Sequence, residues 1–346
     1  MKHLTILLAT ALLAAACGND SADTTTDAPA ISNTAATEST VAVTEARDVI
    51  LVLDWTPNTN HGGIYAAEAA GYYDDVGIDL EIIQPGESGA LQAVATGNAE
   101  FGISVQEALV PAQTEGVPVV SIAAIVQHNT SSLMALEDSN IDGPADLAGH
   151  RYGGFGGQLE TALISTLVEC AGGDPDGVEY VEVGNTDYRV GLESGAFDFV
   201  WIFDGWDKLR LEQAGVAIAT VPFIDHVDCI PDWYTPLIVT SREQIDDDPA
   251  LVADFVAATA RGYELAIDDP SAAADALLAA APELDEDLVR ASADYLAGQY
   301  DRDAPQWGYQ DAAVWATFVD FLVESGLLTE APTDVAALYT NEFLPE

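Results

Sequence analysis

LDWTPNTNHGGIY, residues 53–65, follows a run of alternating apolar residues and then breaks the alternation with Trp, Pro, Asn and His. A strand that stops in a polar, aromatic turn and passes straight into a helix brings side chains and free helix amides to one point. This is how α/β proteins build ligand pockets. Trp55, Asn60 and His61 are therefore the first candidates for ligand contact; the alternatives are a core Trp and an Asn that only caps the helix.

Working outward, residues 49–53 read as a strand, followed by a helix to about residue 70 that stops at Gly71. Residues 78–84 alternate as a strand, 90–96 read as a helix ended by Gly97, and 101–104 and 119–126 read as strands. This order predicts a mostly parallel sheet with helices on its faces. A second cycle follows Asp142 and Gly143: strand 150–152, a glycine turn at 153–157, helix 158–171, strand 178–183, helix 188–194 and strand 197–202. Residues 216–221 and 237–240 add strands. From Asp248 the chain turns helical, at 249–267, 271–281, 285–297 and 309–325. An all-helical tail with no third sheet returns most economically to the first lobe, which requires two crossings, near 133–137 and 236–241. Lobe 1 is then 48–136 plus 237–346 and lobe 2 is 137–236. Lobes joined by two crossings close like jaws, with ligand in the cleft.

Residues 1–16 carry Lys2 and His3 before an apolar run too short to span a bilayer, which reads as a secretory signal. The run closes on three alanines and Cys17, a lipobox-like end that marks Cys17 for lipidation, against a simple cleavage site with an incidental Cys. Through residue 47 the chain is Ser, Thr, Ala and Asp with almost no large apolar side chain, the composition of a disordered tether. The 58 acidic and 10 basic residues give a formal charge of −48, which excludes nucleic acid and an anionic membrane face as partners and leaves membrane attachment to the lipid. Cys170 and Cys229 are either a disulfide or two buried thiols. His61, His128, His150 and His226 are scattered singly, so no metal site is expected.

Several segments carry a resemblance: DWTPNTNH at 54–61, GYY-x4-GI-x-LEI at 71–82, IVQHNTS at 125–131, YGGFGGQLE at 152–160, WIFDGWD at 201–207, RGYELA at 261–266 and TNEFLP at 340–345. With these the chain resembles the solute-binding lipoproteins of bacterial ABC importers, in the group that binds thiamine pyrimidine precursors and shares its fold with the fungal thiamine-pyrimidine synthases. The resemblance implies a type II periplasmic-binding-protein fold, α/β with two lobes, and a monomeric extracytoplasmic lipoprotein that hands hydroxymethylpyrimidine or formylaminopyrimidine to an ABC permease. Riboflavin is the nearest alternative ligand, and aliphatic sulfonates or taurine come third.

A flat heteroaromatic ring is held best by stacking, with a few fixed polar groups at its edge. Beyond the opening turn, Gln106 follows one strand end and Asn129 and Thr130 another. Across the cleft, the glycines at 153–157 let backbone approach a ligand, with Phe155 to stack and Glu160 to accept from an amine or merely to favour the helix dipole. Trp201 and Trp206, with Asp204 between them, follow a strand, and Tyr188 is a further candidate. No cofactor and no catalysis are expected: a Schiff-base cofactor needs a Lys, and Lys208 is the only one beyond the leader.

Overall fold

The computed structural model describes residues 46–184 and 186–345. The leader, Cys17 and nearly all of the tether lie outside these residues.

Ten strands form two sheets. β1 (Arg47–Val52), β2 (Ile78–Ile83), β3 (Phe101–Ser104) and β4 (Val119–Ala124) precede the first crossing, and β5 (Ser131–Leu136), β6 (Arg151–Gly154), β7 (Glu179–Glu182), β8 (Phe199–Phe203) and β9 (Ile218–Pro222) precede the second. β10 (Leu237–Ser241) then returns to the first sheet. The orders are β2-β1-β3-β10-β4 and β7-β6-β8-β5-β9. In each sheet the strand that enters from the other lobe runs antiparallel to both neighbours, and the remaining pairs are parallel. The sheets thus repeat one plan, and ligand crevices of such sheets lie outside the carboxyl ends of the parallel strands. This is the α/β, two-lobed fold of the periplasmic binding proteins.

The crossings differ from the expectation. Residues 133–136 are strand β5, paired with β8 and β9, so the chain changes sheets between residues 125 and 130, ahead of the division at 136/137. The apolar run read as a linker is long enough to pair on both sides, and pairing satisfies its backbone. The second passage spans residues 223–236. Sequence reading also passed over the helix Gln106–Thr114, which holds Pro111, and the π-helical turn Asp204–Lys208.

The helical tail packs back on the first lobe. Helix Pro249–Asp268 buries Val252, Phe255, Val256, Tyr263 and Ala266 together, and it lies so close to helix Gly62–Ala69 that a Cβ on Gly262 would come within 2.0 Å of the Gly63 carbonyl. Phe255 stacks on Phe101 of β3 with ring centres 3.7 Å apart. One hydrophobic cluster also runs through both lobes along the second passage, where Trp233 stacks on Phe318 at 5.5 Å. Cys170 and Cys229 form a disulfide, tying the end of helix Gln158–Cys170 to that passage.

Candidate functional site

The turn after β1 is braced from behind. His61 is wholly buried; its Nδ1 accepts the Asn58 N–H at 3.3 Å, so Nε2 carries the proton and donates to Asp54 Oδ1 at 2.8 Å. Asn58, rather than Asn60, caps the following turn, its Oδ1 taking the Asn60 N–H at 2.9 Å. Tyr263 and Tyr300 hydroxyls donate to the carbonyls of Asn60 and Thr59 at 2.7 and 2.6 Å. The bracing leaves Trp55 pointing out, 58% exposed. His61 therefore serves the turn, not a ligand: both ring nitrogens are engaged.

Glu160 has the same kind of role opposite. Its carboxylate accepts the Gly157 N–H at 2.7 Å, the Phe155 N–H at 3.2 Å and the Tyr152 hydroxyl at 2.9 Å. Those bonds shape the loop after β6 and leave Phe155 60% exposed. An amine acceptor at Glu160, as the sequence suggested, would have to displace them.

Trp201 is a correction too. It sits in mid-strand in β8, faces inward and meets Phe223 and Trp233 edge-on at 5.0 and 6.0 Å. Trp201 packs on the core in mid-strand, and Phe203, two residues further along the same face, emerges at the cleft where the strand ends. The π-helical turn then carries Trp206 and Asp207 to the same opening.

The result is a cleft of about 550 Å³. Trp55 contributes from the first lobe, and Phe155, Tyr188, Phe203 and Trp206 from the second. Thr186, Asp207 and Arg210 form its polar wall. Sequence reading missed Phe203, Asp207 and Arg210. Arg210 is held by Asp187 at 2.9 Å and lies 3.7 Å from Asp207. Burial pushes the Asp207 carboxyl up to about 6, against the pull of Arg210. Burial also pushes the Tyr188 phenol up to about 12, so at neutral pH its hydroxyl keeps the proton.

Asn129 and Thr130 are buried in the first passage, and Gln106, bonded to the Tyr234 N–H of the second, and Asp204 are buried beside the passages rather than lining the cleft. The Asp204 N–H donates to the Thr130 carbonyl at 2.9 Å, and burial raises its carboxyl above the usual range, opposed by the Ser132 hydroxyl and Lys208. The lobes also touch at the cleft mouth. Ser292, in helix Glu286–Ala297, hydrogen-bonds the Gly205 carbonyl and the Thr59 hydroxyl, and a Cβ on Gly205 would come within 2.9 Å of the Tyr295 ring.

The family model described as NMT1/THI5 like matches residues 58–273. The formylaminopyrimidine-binding protein of Halalkalibacterium halodurans is 27% identical over 79% of this chain and 84% of its own. A protein of Legionella pneumophila named 4-amino-5-hydroxymethyl-2-methylpyrimidine phosphate synthase is 27% identical over 86% and 92%. The riboflavin-binding protein RibY of Chloroflexus aurantiacus is 28% identical over 100% and 98%. Among solved structures, the periplasmic aliphatic sulphonate binding protein of Escherichia coli superposes with a TM-score of 0.66 at 15% identity, covering 86% of this chain and 94% of that one.

Proposed function

Because the chain belongs to the NMT1/THI5-like family, we propose that it is the extracytoplasmic solute-binding component of an ABC importer, capturing a thiamine pyrimidine precursor, hydroxymethylpyrimidine or formylaminopyrimidine. The observation that carries this reading is the cleft itself: Trp55 from one lobe faces a second-lobe wall of Phe155, Tyr188, Phe203 and Trp206, which suits a planar heteroaromatic ring. The formylaminopyrimidine-binding relative supports the same class. In this reading the ligand docks on one lobe, the other closes over it, and the closed monomer, held to the membrane by lipidated Cys17, meets the permease.

Binding rather than catalysis fits the residues at hand. Lys208, the one Lys past the leader, lies in the π-helical turn, and a Schiff-base cofactor would have to form there. Riboflavin is the second reading, favoured by the RibY relative, which aligns along the whole chain. Sulfonates fit less well, since Asp187 and Asp207 both stand by Arg210, the one basic side chain lining the cleft among the described residues.

Mass spectrometry of co-purifying small molecules, followed by calorimetry with the pyrimidines and riboflavin, tests the proposal. Pyrimidine binding without turnover is expected. Binding of riboflavin alone, or turnover of a pyridoxal-type substrate, would overturn it.

A further inference from the structure

Trp206 belongs to the second lobe by sequence and to the first by packing. It lines the cleft, and it also packs against a small hydrophobic cluster of Tyr65, Ala274, Leu277, Ala281, Val289 and Ala293, all of the first lobe. A stacking plate that rests on the opposite lobe reaches its place only when the lobes meet. Its neighbour Gly205 carries the contacts that set it there.

The Gly205 carbonyl accepts the single proton of the Ser292 hydroxyl, so the Thr59 hydroxyl donates to Ser292 in turn. Ser292 is wholly buried and Thr59 is 3% exposed, so water does not compete for either bond. Thr59 lies in the turn that presents Trp55. Two hydrogen bonds in series therefore join the turns that carry the facing aromatic plates. The approach is also close: a Cβ on Gly205 would come within 2.9 Å of the Tyr295 ring and 3.4 Å of Leu296, so any side chain at 205 would move the turn or the ring. Nearer the other end of helix Glu286–Ala297, the Gln213 amide donates to the Asp287 carbonyl at 3.1 Å, so the helix meets the second lobe along its length.

A π-helical turn is wide and uncommon, and such turns recur where a side chain is held for function. We infer that Ser292 and Gly205 are positioning residues for Trp206: they seat its turn on the first lobe, fix its distance from Trp55, and so let closure complete the stack around a planar ring. This rests on the solute-binding reading and adds how the second plate is set and which residues outside the cleft control affinity.

Calorimetry with 4-amino-5-hydroxymethyl-2-methylpyrimidine on Ser292→Ala and Gly205→Ala, each made in the wild type and in Trp206→Ala, tests the inference. In the wild-type background each substitution should weaken binding by about 10-fold, and in the Trp206→Ala background by about 2-fold or less, because the plate they position is gone. An equal loss in both backgrounds would mean that the two residues serve the fold or the lobe contact in general. No loss in either would mean that Trp206 needs no seating. Both results overturn the inference. Ser292→Ala strips the Gly205 carbonyl and the Thr59 hydroxyl of a buried partner, whereas Gly205→Ala removes no hydrogen bond and carries the test alone if the first variant does not fold. A wild-type protein that binds no heteroaromatic at all would instead defeat the solute-binding reading, and the positioning with it.

Discussion

The imidazole Nδ1 of His128 lies 2.6 Å from Asp232 Oδ2, joining the first passage between the lobes to the second. Asp303 reaches the other ring nitrogen at 3.7 Å. The hydrogen bond to Asp232 raises the His128 pKa, burial and Arg302 oppose it, and the charges of Asp232 and Asp303 add to the rise. A His whose folded pKa exceeds its unfolded one contributes stability that is complete below the unfolded value and is lost as pH rises through the folded one. His128→Gln should therefore lower the melting temperature most at pH 5–6, by an amount worth about 1 kcal/mol, and much less at pH 9. Thermal melts of both proteins across pH check this; a penalty that grows with pH would contradict it.

The two tryptophans that the sequence treated alike should behave in opposite ways. Trp55→Ala removes an exposed side chain, so stability should change by no more than about 0.5 kcal/mol while ligand affinity drops. Trp201→Ala opens a hole against Phe223 and Trp233 and should cost about 3 kcal/mol. Urea unfolding of both variants separates the roles.

Asp207 is held at a stability cost. Burial raises its carboxyl to about 6, so folding binds a proton and stability falls as pH climbs from the unfolded value toward 6. Asp207→Asn should raise stability at pH 7.5 by on the order of 1 kcal/mol, with the gain vanishing near pH 4. Denaturant titrations at the two pH values test the sign. Asp187 still holds Arg210 in the variant.

The disulfide spans 59 residues of chain. Replacing both Cys170 and Cys229 by Ser should lower stability by about 2–4 kcal/mol, measured by unfolding of the variant beside the oxidised protein.

Much of the fold could be read because several helices end on a glycine and several strands are β-branched runs. Gly71, Gly97 and Gly195 carry positive φ after their helices, and β-branched runs mark β1 and β10. The first passage was misplaced because β5 is buried on both faces and its run from Leu133 to Leu136 shows no alternation, so periodicity cannot tell it from a buried linker. At the site the aromatics were legible: Trp55, Phe155, Tyr188 and Trp206 all line one cleft. Polar residues were not. His61 and Glu160 look like ligand groups in sequence, and only the three-dimensional hydrogen-bond pattern shows them bonded to their own turns. Asp207 and Arg210 pair through a π-helical turn that no periodic pattern announces.

The central claim is that aromatic plates from opposing lobes clamp a planar nitrogenous solute. Calorimetric titration of the wild type, Trp55→Ala and Trp206→Ala with 4-amino-5-hydroxymethyl-2-methylpyrimidine tests it most directly. The account predicts binding by the wild type and an affinity weaker by about 10-fold or more in each variant, at unchanged stoichiometry. Wild-type affinity retained by both variants would contradict it.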